Sequence, residues 1–97
     1  MRADNFDVKD MLIGETRREG ITVERNDGVA LVIASATIQV FDADTNIALT
    51  QAVSATIDEG DIYGDVVAGA EIGKRYVEFV YTVGTWVRKV RKNYAVI

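Results

Sequence analysis

The chain has 97 residues, enough for one domain with one core, and its 48% apolar and 27% charged content is that of a packed globule, not a disordered segment. It contains no cysteine and no histidine. That removes disulfides, thiolate chemistry, the commonest metal ligand and the usual general base, and with them the Ser-His-Asp and Cys-His schemes. The net charge of −4 is unevenly spread: residues 1–73 hold 14 acids against 5 bases, whereas residues 74–97 hold 6 bases and 1 acid.

The start, Met1-Arg2-Ala3-Asp4-Asn5-Phe6-Asp7, carries acids where a signal peptide needs a basic, then apolar, stretch, so synthesis in the cytoplasm is expected. Residues 1–10 read as an N-terminal arm ahead of a domain that fills the single span 1–97, with a short helical turn around Asp7–Met11 capped by Asp7. Met11–Thr16 then reads as a strand and Arg17-Arg18-Glu19-Gly20 as a connection. In Ile21-Thr22-Val23-Glu24-Arg25 apolar and polar residues alternate, the signature of a strand with one face on a core. Asn26-Asp27-Gly28 is the strongest turn signal in the chain. The apolar run from Val29 to Ala34 follows; at six residues it is the longest, far short of the ~20 of a membrane span.

Ala36–Asp42 is the next strand, with Ala36, Ile38 and Val40 on one face and Phe41 on the other. Asp42-Ala43-Asp44-Thr45-Asn46 is a turn cluster. Strand character resumes over Ile47–Leu49, Ala52–Ile57 and, after Asp58-Glu59-Gly60-Asp61, over Ile62–Ala68. The last two strands form a hairpin about Gly84-Thr85. Val77, Phe79, Tyr81 and Val83 share one of its faces and Glu78, Val80 and Thr82 the other, and Trp86 is expected to anchor the core. The return strand to Ile97 is broken in its apolar pattern by Arg88-Lys89-Val90-Arg91-Lys92 and reads as an edge or bulged strand, since lysine and arginine protect sheet edges.

About seven short strands with turn signals between them predict an all-β antiparallel sandwich of two sheets, immunoglobulin-like in size, with a small β-barrel as the alternative. Ser35-Ala36-Thr37-Ile38 recurs as Ser54-Ala55-Thr56-Ile57, but two copies do not make a repeat array.

No motif supplies chemistry. Gly69-Ala70-Glu71-Ile72-Gly73-Lys74-Arg75 has three residues between its glycines where a phosphate loop has four, and arginine where that loop has serine or threonine. Asp42-Ala43-Asp44-Thr45-Asn46 opens like a calcium loop, but Ile47 stands in place of the glycine and Val53 in place of the final carboxylate. A weak calcium site would need Asp42, Asp44 and one of Asp58, Glu59 or Asp61. Ser35 and Ser54 sit in no nucleophile motif. The expectation is therefore no enzyme, no cofactor and no metal.

Arg88, Lys89, Arg91, Lys92 and Tyr94 form the candidate interaction surface. Alternate residues of a strand face opposite ways, so the cations split between two faces of an acidic domain, which argues against nucleic acid and for a sheet edge or subunit contact. Exposed rings among Phe41, Tyr63, Tyr76 and Trp86 would instead suit a carbohydrate-binding or other ligand-binding module.

The run Asn26–Ile38 and the later Arg75-Tyr76-Val77-Glu78-Phe79-Val80-Tyr81-Thr82-Val83-Gly84 resemble the small immunoglobulin-like modules of tailed bacteriophages and prophages, including baseplate and tail-associated proteins. The resemblance covers the middle and end of the chain, and its motifs are an Asp-Gly turn before an apolar strand and an aromatic hairpin. It carries over no functional residue. It implies a virion structural role, in which the domain binds copies of itself or other virion proteins and forms a homo-oligomer.

Overall fold

The computed structural model of the chain describes residues 2–5, 10–24 and 32–97. Period-two alternation dominates these segments, and eight strands result: β1 (Arg2–Asn5), β2 (Thr16–Glu24), β3 (Ser35–Asp42), β4 (Val53–Ser54), β5 (Thr56–Asp58), β6 (Asp61–Val67), β7 (Gly73–Val83) and β8 (Trp86–Val96). They form two antiparallel four-stranded sheets, ordered β1-β2-β6-β5 and β4-β3-β7-β8. This is the two-sheet sandwich expected from the sequence. Its strand order follows the immunoglobulin arrangement ABED against C′CFG. Among the described residues no helix is long and apolar enough to cross a membrane.

Ile21, Val23, Ile62 and Val66 on one sheet meet Ala36, Ile38, Val40, Val77, Phe79 and Tyr81 on the other, and all are buried. Each large apolar side chain so buried stabilises the fold by about 1.5–3 kcal/mol. Gly64 of β6 packs against Ile38 of β3 across the sheets, where a Cβ would sit 3.3 Å from Ile38 Cγ2.

The chain changes sheets between β2 and β3, between β4 and β5, and between β6 and β7, and the shortest of these steps is the one from β4 to β5. Ala55 lies at the step and donates its amide to Ala36 O at 3.0 Å. Glu59 and Gly60 then reverse the chain between Asp58 and Asp61 with φ of 54° and 113°, the paired positive φ that a tight hairpin turn uses. The β7–β8 hairpin is longer. Its register runs without a bulge from Gly73↔Val96 to Val83↔Trp86, and Gly84, φ 59°, opens the turn.

Several sequence expectations change. Met11–Thr16 is not a strand, because Leu12 to Glu15 closes a turn (Glu15 N–H to Leu12 O, 3.0 Å) with Gly14 at φ 79°. Arg17-Arg18-Glu19-Gly20, expected to be a connection, is instead the first half of β2, since its charges find partners on both faces. Ile47–Leu49 gives only a single bridge, Phe41↔Ala48, and both Ile47 and Leu49 stay exposed. Ala52–Ile57 is cut in two by the change of sheet.

Within the segment read as an N-terminal arm, Arg2–Asn5 run antiparallel along Ile21–Glu24. The turn at Asn26-Asp27-Gly28, most of the apolar run after it, and the capped turn beginning at Asp7 lie outside the described residues.

Candidate functional site

β8 is the outer strand of its sheet. Its last turn of pairing is covered: Met11 N–H donates to Ala95 O at 2.9 Å, Ile97 N–H to Met11 O at 2.9 Å, and Ala95 N–H to Asp10 Oδ1 at 3.1 Å. The Ala95 amide and carbonyl therefore point away from β7. With no bulge in the register, Val87, Lys89, Arg91 and Asn93 turn their backbone groups the same way. Among the described residues, nothing but Asp10 and Met11 pairs with that side. Over about 26 Å of strand, from Trp86 to Asn93, no other described residue pairs with this edge.

The side chains along this edge divide as period two requires. Arg88, Lys89 and Arg91 are exposed, as expected of an interaction surface. Lys92 and Tyr94, assigned to the same surface from sequence, are instead buried at 3% and 7% exposure. Both lie on the inner face of β8, opposite Val77 and Arg75 of β7.

Lys92 turns inward because the facing sheet offers it a carboxylate. Its Nζ lies 3.3 Å from Glu19 Oε2 and donates to Gly20 O at 3.0 Å, while Arg17 Nε donates to Glu19 Oε1 at 2.7 Å. The charges thus hold the two sheets together and leave Lys92 unavailable to a partner. Glu19 was missed in the sequence, because one acid in a polar run gives no sign of burial.

Of the three exposed cations, Arg91 donates to Glu78 Oε2 at 2.8 Å and stacks 4.7 Å from the Tyr76 ring centre. The hydrogen bond to Glu78 raises the Arg91 pKa above its ordinary value. Arg88 lies 5.3 Å over the Trp86 ring. Lys89 stands on the outer face between them. Trp86, expected in the core, is 65% exposed beside Val87 at 62%, because the hairpin tip carries it beyond the facing sheet's cover. The edge therefore combines three cations with an open apolar pair.

The other candidate groups do not converge. Asp42 Oδ1 accepts the amides of Asp44 (2.8 Å) and Thr45 (3.1 Å), and its Oδ2 faces Arg75 Nη1 at 3.5 Å. The Thr45 and Asp44 amides, with Arg75 behind them, hold its pKa below the ordinary carboxylate value. Asp58, Glu59 and Asp61 lie at the opposite end of the sandwich, so the calcium ligand set weighed from sequence is not assembled. Among the described residues no three acids form a metal-binding group.

Gly69–Arg75 leads into a strand, with no helix to cradle phosphate. Phe41 and Tyr76 stack on each other at 5.0 Å, Tyr63 lies under Arg18, and Trp86 alone of the four aromatic candidates is open. A cleft of about 410 Å³ lies between Leu49, Val67 and Arg75. Comparison with protein-family models, curated proteins and solved structures gives no match for this chain.

Proposed function

We propose that this domain is a non-catalytic structural module that joins protein partners along the open edge of β8. The virion role implied by the resemblance to phage tail and baseplate modules is the setting in which such a joint would work. The observation that supports it is the edge itself: a long, regular strand whose outward backbone from Trp86 to Asn93 no described residue pairs, with three exposed cations and the Trp86–Val87 pair. Exposed flat edges invite pairing with other chains, and added strands draw affinity from backbone hydrogen bonds and selectivity from side chains. The cations are too few and too divided between faces to track a phosphate backbone, so the partner we propose is protein.

The test blocks the edge without touching the core. In Lys89→Pro the outward amide is replaced by a ring that no added strand can bond. In gentle lysates of cells that make the protein, the native chain should elute in complexes well above its own 10.7 kDa. The blocked chain, its circular dichroism unchanged, should elute as a monomer. Equal elution of the two chains refutes the reading.

A further inference from the structure

Resting on that reading, the geometry points to a specific partner: we infer that the β8 edge of one copy docks on the acidic β5 edge of another, head to tail. Charge decides against the simpler arrangement, in which two β8 strands pair about a two-fold axis. An antiparallel pair centred on Arg88, Lys89 or Val90 sets Arg88 against Arg88, Lys89 against Lys89, or Lys89 against Arg91. Like charges directly opposite one another destabilise a sheet. Centring on Arg91 opposes Val87 to Ala95, whose amide and carbonyl are already bonded to Asp10 and Met11. Centring on Val87 joins only Trp86 to Arg88, the first three residues of β8, so over any longer pairing the edge selects against itself and for an acidic strand.

The same chain presents one. β5 is the outer strand of the other sheet, and Thr56, Ile57, Asp58 and Glu59 are all exposed. Asp58 sits directly across from Asp61 in the β5–β6 hairpin, with Glu59 at its tip. This local conflict of like charges is relieved when cations arrive. Ile57, 36% exposed, precedes Asp58 in the same strand, as Trp86 and Val87 precede the bases of β8. Both edges thus offer an apolar part and a charged part of opposite sign.

Their placement fits a repeating contact. β5 overlies β3, while β8 lies on the other flank, where Lys92 meets β2. One edge is on each side of the sandwich, so a copy bound through β8 still offers its own β5. Such a heterologous contact builds rings or filaments and does not stop at a dimer.

The test uses the purified full chain in sedimentation velocity from micromolar to millimolar concentration, at low and moderate salt. The native chain should grow beyond twice 10.7 kDa, more so at low salt. Lys89→Glu with Arg91→Glu should hold it at the monomer mass, as should Asp58→Lys with Glu59→Lys. Mixing these two variants should restore growth beyond a dimer, with the two alternating, because the reversed β8 of the first fits the reversed β5 of the second and the native β8 of the second fits the native β5 of the first. Recovery on mixing also shows that neither variant had merely unfolded.

A native chain that stays monomeric, or stops at a dimer, overturns the inference, as does growth insensitive to the reversals. If the purified chain stays monomeric while Lys89→Pro still dissolves the complexes in lysates, the self-partner fails and the assembly reading stands.

Discussion

The sharpest test of the fold's energetics is Lys92→Met. Lys92 and Glu19 have side-chain exposures of 1% and 2%, so solvent screens neither charge, and the 3.3 Å contact crosses between the sheets. Removing one member of a buried pair costs about 3–5 kcal/mol, because the remaining charge stays desolvated. Against a total stability of about 5–15 kcal/mol for a domain, that is a large share.

Each kcal/mol moves the melting midpoint of a domain this size by about 4–8 °C, so Lys92→Met should lower it by at least about 12 °C. Glu19→Gln should cost more than Lys92→Met, since its carboxylate serves both Lys92 and Arg17, whereas Lys92→Met leaves Arg17 in place. The paired replacement Glu19→Leu with Lys92→Met should recover most of the loss: two apolar side chains replace two desolvated charges, and Arg17, 25% exposed, can turn to water or to Glu15.

Far-ultraviolet circular dichroism in urea is the suitable assay, because Trp86 is already open in the native state and reports little by fluorescence. A double-mutant cycle of the native chain, Glu19→Leu, Lys92→Met and the paired replacement should give a coupling of at least about 1 kcal/mol. If Lys92→Met lies within about 0.5 kcal/mol of the native chain, as a surface change would, the buried-pair argument is wrong.

Three smaller outcomes follow from the turns. Gly73→Ala should destabilise by about 1–3 kcal/mol in urea titration, because the glycine sits at φ 152° and a Cβ there would lie 2.5 Å from Arg75 Nη1. Glu59→Asn should stabilise by about 0.5–1 kcal/mol, since asparagine accepts the left-handed φ of 54° better than glutamate, as a calorimetric midpoint would reveal. Asp42 has its folded pKa lowered, so its contribution is complete above the ordinary carboxylate pKa and is lost as pH falls through the lower folded value. Asp42→Asn should therefore show a shallower fall of stability below about pH 4 than the native chain, measured by melting across an acid series.

The elements legible in the sequence are those whose own residues alternate. Ile21 to Glu24, Ala36 to Asp42, Ile62 to Val67 and Val77 to Val83 carry their burial pattern in the order of their side chains, and each is a strand as expected. Elements whose burial depends on a distant partner were not legible. Arg17 to Gly20 is polar and became half a strand because Lys92, 73 residues away from Glu19, supplies a charge in the interior. Part of the candidate surface failed for the same reason: Lys92 and Tyr94 carry polar groups yet occupy inward positions, while Trp86, a ring expected inside, lies past the end of the facing sheet. Arg88, Lys89 and Arg91 were readable as edge protection, but the coverage of that edge by Asp10 and Met11 has no local signal.

One four-residue phrase separates the two kinds of information. Ser35-Ala36-Thr37-Ile38 lies wholly within β3, where Ala36 and Ile38 are buried at 6% and 4%. Ser54-Ala55-Thr56-Ile57, the same phrase, begins in one sheet, ends in the other, and leaves Ile57 36% exposed. Sequence alone determined that both are extended, because β-branched and small residues in alternation favour that backbone wherever they stand. Only the tertiary structure decided which one fills the core and which one crosses its edge, because burial is conferred by the chains that pack alongside, and those come from elsewhere in the sequence.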